Sequence, residues 1–273
     1  MSSMQIIENG ILKAKTDKCP AQNSLVVYEV LRIVSGIPLF FSEHFARMNQ
    51  SCQALGFDTP IRKDELLTQI VRLSKANQTQ NGNIKIEVTP TERAGGWILY
   101  FIPHSYPTPQ MYQAGVEVGF LHAERMNPGL KIEQPAVRER ANQLISEKGF
   151  YEVLLINNQN EITEGSRSNI FFIANNKLIT PPLKQVLKGI TLGKVLEIAR
   201  VENIEVEFRN VAASELKAIG SMFLTGTSPK ILPVAKAGNM HFNIKHPMLQ
   251  TITIRYNEMI QHDIEKSKKL IRK

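Results

Sequence analysis

The sequence predicts an α/β (α+β) chain of two domains, a small N-terminal one and a larger C-terminal one. Three observations carry this. Runs rich in β-branched residues, such as SLVVYEVLRIV, alternate with segments of helical period. A proline-bearing stretch with little periodicity, PHSYPTPQMYQA at 103–114, lies between the two halves. A chain of 273 residues is also long for a single core. The expected division is a first domain over 1–105, a linker over 106–114 and a second domain over 115–273.

The elements follow in order. Residues 4–12 alternate as strands around an Asn9-Gly10 turn. Residues 24–34 read as a strand, 35–38 as a turn and 39–41 as a short strand. Ser42 reads as the N-cap of a helix over 44–55 that carries Phe45, Met48 and Cys52 on one face and stops at Gly56. A second helix covers about 63–76, with strands at 83–88 and 97–102 completing a small α/β unit. The second half restarts with a strand at 115–121. Pro135 opens a helix that runs to Lys148, with Gly149 just past its end. Residues 151–156 form an apolar strand, and 161–173 pairs with 177–180. Helices follow near 190–202 and from Ser214, strands at 204–208 and 221–224, and a last helix over 250–270.

Composition removes several classes. A chain 42% hydrophobic and 21% charged is not a disordered one. No apolar run approaches the roughly 18 residues that span a bilayer, and MSSMQIIENG lacks the pattern of a signal peptide. Two cysteines, Cys19 and Cys52, do not make a disulfide framework, which points to a reducing, cytoplasmic setting. The net charge of +8 raises the question of nucleic acid. However, the closing IEKSKKLIRK holds five basic side chains and one acidic, half of the excess, and no aromatics interleave with the rest. The expectation is no nucleic acid, no membrane and no metal.

Three places can each hold an anion. Gly189-Ile190-Thr191 stands at a helix start, where unpaired N–H groups and the dipole favour negative charge. Thr225-Gly226-Thr227-Ser228 clusters hydroxyls and amides straight after a strand. Arg47 lies in the helix after Ser42. Two further residues carry chemistry. Lys131 sits at a strand–helix junction in MNPGLKIEQPA, where an amine can react with an aldehyde once deprotonated. Glu164 lies inside EITEGSRSNIFFI, where alternation allows either a wet-face glutamate or a buried carboxylate that needs a cationic partner.

TEGSRSNIFFI followed by ITPPLKQVLKGIT resembles the motif pair of the class IV aminotransferases, the fold-type IV family of pyridoxal-phosphate enzymes. That family includes D-amino-acid transaminase, branched-chain aminotransferase and aminodeoxychorismate lyase. The similarity runs from about residue 129 to 233 and returns in YEVLRIVSGIPLFFSEHFARM. It implies a two-domain fold whose larger domain is a mixed β-sheet or pseudo-barrel, a homodimer, and pyridoxal 5'-phosphate as cofactor. Such a cofactor needs an amine for its aldehyde, an acid for its ring nitrogen, donors for its phosphate and walls for its ring. The resemblance assigns Lys131 to the aldehyde and Glu164 to the ring nitrogen. It assigns Arg47, Ile190, Thr191 and Thr227 to the phosphate and Leu187 to a ring face.

Departures from the family cluster at the substrate side. Asn23-Ser24-Leu25 replaces a Gly-Asp-Gly-type stretch, Gln134 stands where an asparagine is usual, and Leu192 where an arginine often follows Gly-Ile-Thr. Neither the Arg-x-His element of the D-amino-acid enzymes nor the Tyr-x-Arg element of the branched-chain enzymes is evident. Tyr28 and Arg93 are the remaining substrate-binding candidates. The expected activity is amino transfer yielding a 2-oxo acid from an amino-acid-like substrate. The alternatives are pyruvate elimination, as by 4-amino-4-deoxychorismate lyase, and a non-catalytic basic binding protein.

Overall fold

A computed structural model of the chain describes residues 4–15, 26–90 and 96–271. The chain forms two compact units. The first comprises Met1–Ser105, Leu130–Glu133 and Ile260–Lys273, and the second Tyr106–Gly129 and Gln134–Met259. Among the described residues no helix is long and apolar enough to cross a membrane, and no group of acidic, histidine or cysteine side chains is arranged to hold a metal ion.

The first unit is built on β1 (Gln5–Glu8), β2 (Ile11–Ala14), β3 (Val27–Val34), β4 (Ile37–Pro38), β5 (Gly82–Thr89) and β6 (Gly96–Ile102), with helices α1 (Phe41–Ala54) and α2 (Lys63–Ala76). Its antiparallel sheet has the order β2-β1-β6-β5-β3-β4. Asn9 (φ 47°) and Gly10 (φ 82°) turn β1 into β2 with both residues at positive φ, the geometry an Asn-Gly hairpin prefers. Alternation along β3 sends Leu31 and Ile33 inward against Met48, Cys52, Leu66, Ile70 and Leu73 of the two helices. Residues 130–133 run along the start of β3: the Tyr28 N–H donates to the Lys131 carbonyl at 2.9 Å, and Val27 bridges Ile132.

The second unit contains α3 (Pro109–Ala114), β7 (Val116–His122), α4 (Pro135–Lys148), β8 (Glu152–Ile156), β9 (Glu161–Gly165), β10 (Asn169–Ala174) and β11 (Lys177–Thr180). It continues with α5 (Ile190–Val201), β12 (Val206–Phe208), β13 (Val211–Ala212), a 3-10 turn at Ala213–Ala218, β14 (Ser221–Gly226), β15 (Lys230–Ala237) and β16 (Met240–His241). The last helix, α6 (Pro247–Ile271), contributes its residues from Ile260 onward to the first unit. These strands make one curled, mixed sheet of order β12-β11-β10-β14-β15-β7-β8-β9-β13, with β16 on β15, as the family resemblance implies. The β7–α4–β8 crossover supplies one parallel pair. Ile170, Phe172, Met222, Leu224 and Leu232 fill one face, and Phe171 stacks on Phe223 at 5.3 Å.

Several local expectations are corrected. Ser42 does not cap α1: the helix starts at Phe41, and its N-cap Phe40 has φ 50°, so 39–41 is no strand. The Phe40 N–H donates instead to Asp263 Oδ2 at 2.8 Å. The stretch 103–114 holds the short helix α3, capped by Thr108 Oγ1 accepting from the Met111 N–H. Residues 161–173 form two strands rather than one, broken at 166–168. Thr225 lies inside β14 rather than after it. The strand β15 lacks a sequence signal because Pro233 interrupts ILPVAKA. Pro233 is tolerated because its ladder there runs to Phe223 alone, and pairing with β7 starts at Val234.

Candidate active site

In the first unit, Lys131 is half-buried, and its Nζ lies 4.8 Å from the Tyr28 ring centroid. Its backbone is tied twice, through the carbonyl to Tyr28 and through an N–H donated to Ser51 Oγ at 3.3 Å. The amine therefore projects from a segment stitched to β3 rather than from a free loop.

Arg47 is held by a residue that sequence reasoning missed. Glu29 faces inward on β3 and is 0% exposed. It accepts from Arg47 Nε and Nη2, each at 2.7 Å, and lies 2.7 Å from His44 Nδ1. Burial pushes the Glu29 carboxyl up, but the Arg47 charge and hydrogen bonds and the His44 contact outweigh it and hold its pKa at about 2. Burial pushes His44 below its ordinary 6.5, against the pull of Glu29, so the imidazole is a neutral donor. The bidentate fork fixes the Arg47 guanidinium plane. The available signal was the alternation itself, which puts Glu29 on the same face as Leu31, with histidine and arginine at an i, i+3 spacing.

In the second unit, Glu164 is 4% exposed, which excludes the wet-face reading. Its Oε2 accepts from the Leu187 N–H at 3.2 Å and from Asn169 Nδ2 at 3.5 Å. Its Oε1 pairs with Arg125 Nη1 at 3.1 Å. Asn169 Nδ2 also donates to the Leu187 carbonyl at 2.8 Å, so Glu164, Asn169 and Leu187 form one unit. Arg125 is a partner the sequence did not reveal; nothing in LHAERMNPG marks that arginine as facing inward.

A second buried carboxylate shapes the turn between Glu164 and Asn169. Glu152 accepts from the Val153 N–H (2.9 Å), Ser166 Oγ (2.6 Å), the Arg167 N–H (3.1 Å) and Ser168 Oγ (3.0 Å). Three of these four donors come from 166–168 and hold that turn out of the ladder, which explains the split strand. Gly165 is needed here, since a Cβ would sit 2.1 Å from Ser168 Oγ.

The helix start at α5 has the expected form. The first i→i−4 bond runs from the Gly193 N–H to the Gly189 carbonyl at 2.9 Å, leaving the Ile190, Thr191 and Leu192 N–H groups without helical acceptors. Thr191 Oγ1 lies 3.2 Å from the Tyr256 hydroxyl. A Cβ on Gly189 would fall 2.2 Å from Asn169 Oδ1. Across the β10–β14 ladder from Asn169, the buried Thr225 hydroxyl has no hydrogen-bond partner among the described residues. Unpartnered amides, an orphan hydroxyl and a buried carboxylate in one unit suit a phosphorylated aromatic cofactor with a basic ring nitrogen. Thr227 lies in the turn after β14, and Leu187 is buried.

The sequence-predicted residues thus fall in two sets. Tyr28, Arg47 and Lys131 belong to the first unit, and Glu164, Leu187, Ile190, Thr191 and Thr227 to the second. Arg93 lies outside the described residues.

Comparison with known proteins agrees with this chemistry. The Amino-transferase class IV family model matches residues 26–237. A Thermotoga maritima protein named "Probable branched-chain-amino-acid aminotransferase" is 31% identical over 85% of this chain and 84% of its own length. D-alanine aminotransferase of Bacillus licheniformis is 30% identical over 76% of this chain and 77% of its own. Among solved structures, a T.th. branched-chain amino acid aminotransferase with pyridoxamine 5'-phosphate superposes with a TM-score of 0.80 at 19% identity, covering 95% of both chains. This chain belongs to the class IV aminotransferases, a family of pyridoxal-phosphate enzymes.

Proposed function

We propose that the protein transfers the amino group of an amino acid to a 2-oxo acid. The observation that carries this reading is the buried Glu164, held by Leu187, Asn169 and Arg125. When bound, pyridoxal phosphate supplies an electron-accepting ring conjugated to the substrate. Glu164 would partner its ring nitrogen, and Arg125 and the Leu187 amide fix that carboxylate. Arg47, the amides of Ile190 and Thr191, the Thr191 hydroxyl and Thr227 are the residues that would hold its phosphate. Leu187 would wall its ring. Lys131 Nζ would hold its aldehyde group and, when free, would accept the proton leaving the substrate Cα. Tyr28, beside that amine, lines the substrate position; Arg93 is proposed only from the sequence.

The aminotransferase names of the relatives at 30–31% identity favour transfer over elimination. An assay of oxo-acid formation across L- and D-amino acids, run beside pyruvate release from 4-amino-4-deoxychorismate, tests it. Transfer predicts oxo acid and no pyruvate from the second substrate; pyruvate alone would assign the lyase activity. A homodimer and a cytoplasmic setting belong to the same proposal, the latter supported by the buried free thiol of Cys52.

A further inference from the structure

Three segments of the first unit are tied into a closed triangle around the Lys131 amine. Glu29 of β3 holds His44 and Arg47 of α1. Residues 130–133 are laid on β3: the Tyr28 N–H donates to the Lys131 carbonyl at 2.9 Å, and the Glu133 N–H to the Val26 carbonyl at 3.3 Å. The third side joins 130–133 to α1, where the Lys131 N–H donates to Ser51 Oγ at 3.3 Å.

Ser51 is an odd residue for its position. A serine inside a helix usually turns to solvent or bonds back to the carbonyl four residues earlier. Ser51 is 2% exposed, close to Met48 and Cys52 of the core, and its hydroxyl reaches a segment 80 residues away. Packing alone would be served by alanine, the better helix former. His44, Arg47 and Ser51 stand at i, i+3 and i+7, so they form one polar stripe of α1. The amine lies near that stripe: after burial, the charges of Arg47 and Lys131 both add to what keeps His44 neutral.

We propose that Ser51 is a positioning residue for the amine of Lys131. Standing one turn from Arg47, it makes α1 a ruler that sets the distance between the cation for the cofactor phosphate and the amine for its aldehyde. Without the Ser51 bond, Lys131 keeps its tie to Tyr28 but loses its fixed distance from Arg47. The inference rests on the roles proposed above for Lys131 and Arg47. A ruler matters only to a molecule gripped at both ends. Pyridoxal phosphate is such a molecule. Pyridoxal has the same ring and aldehyde but no phosphate, so it can slide to meet a displaced amine.

The test uses the full-length chain, freed of cofactor, with Ser51→Ala. Stopped-flow absorbance follows condensation of the Lys131 amine with each aldehyde, in which the C=N bond forms and water leaves. Ser51→Ala should slow the reaction of pyridoxal phosphate by about tenfold or more and that of pyridoxal by less than about twofold. Hydrogen exchange at the Lys131 amide should quicken in the same variant, while β5 and β6 stay protected. Equal slowing of both aldehydes, slowing of neither, or unchanged exchange at Lys131 overturns the proposal. If Ser51→Ala does not fold, Ser51→Cys, close in size and a weak acceptor, carries the same comparison with the same outcomes. The wild type separates the two failures. If borohydride labels its Lys131 and it condenses faster with pyridoxal phosphate than with pyridoxal, an unresponsive Ser51→Ala refutes only the positioning role. An unlabelled Lys131, or equal wild-type rates for the two aldehydes, refutes the parent reading.

Discussion

Replacing Glu29 by glutamine tests how Arg47 is held. The carboxyl is fully buried, and its pKa moves from an ordinary 4.5 to about 2 in the folded chain. At about 1.36 kcal/mol per unit, this is worth about 3 kcal/mol of folding free energy near neutral pH. A depressed carboxylate pKa means that the unfolded chain binds the proton first. This stability is therefore complete above pH 4.5 and lost as pH falls toward 2. His44, whose pKa is also lowered, acts in the same direction: below its ordinary 6.5 the unfolded imidazole takes a proton that the folded one resists. Acid should therefore weaken the first unit in two stages, the first beginning near 6.5. Glutamine leaves the Arg47 charge buried without its counterion, so Glu29→Gln should cost about 3–5 kcal/mol at pH 7 and flatten the stage between 4.5 and 2. The chain's single tryptophan, Trp97, is buried in the same core, and its fluorescence in urea reports this unit. A variant within about 1 kcal/mol of the wild type at pH 7, with the same acid slope, would refute the reasoning.

Three further outcomes are expected. Glu152→Ala removes the acceptor of four donors and should cost about 2–4 kcal/mol in chemical denaturation. It should also weaken cofactor binding, because the turn it holds lies between Glu164 and Asn169; unchanged affinity would separate the turn from the site. Gly189→Ala keeps an allowed backbone (φ −60°) but drives a methyl against Asn169 Oδ1, so a fluorescence titration should show at least about tenfold weaker pyridoxal phosphate binding. Lys131→Ala should abolish turnover while the circular dichroism spectrum stays that of the wild type.

The sequence was most legible where local chemistry and tertiary demand coincide. The Asn9-Gly10 hairpin, the 63–76 helix and the helix from Pro135 to Lys148 form where expected, because turn residues, a first-position proline and a terminal glycine are local signals. It was least legible where a distant partner decides. Phe40 takes a positive φ at a helix start anchored by Asp263, which lies 223 residues away, so Ser42 loses its apparent role. Residues 161–173 have the composition of one strand, and only the acceptors on Glu152 break it. The same division holds at the candidate site. Glu164, Leu187 and Thr191 sit in a local motif, but their supports do not: Arg125 and Tyr256 come from 39 and 65 residues away. Glu29 was readable in principle, since a carboxylate at an inward position of an alternating strand demands a buried cation.

Reduction of the yellow holoenzyme with borohydride, followed by peptide mapping by mass, tests the central claim most directly. The account predicts the cofactor's added mass on the peptide carrying Lys131 and on no other. The same mass on any other lysine, or a purified protein that stays colourless with pyridoxal phosphate, would contradict it.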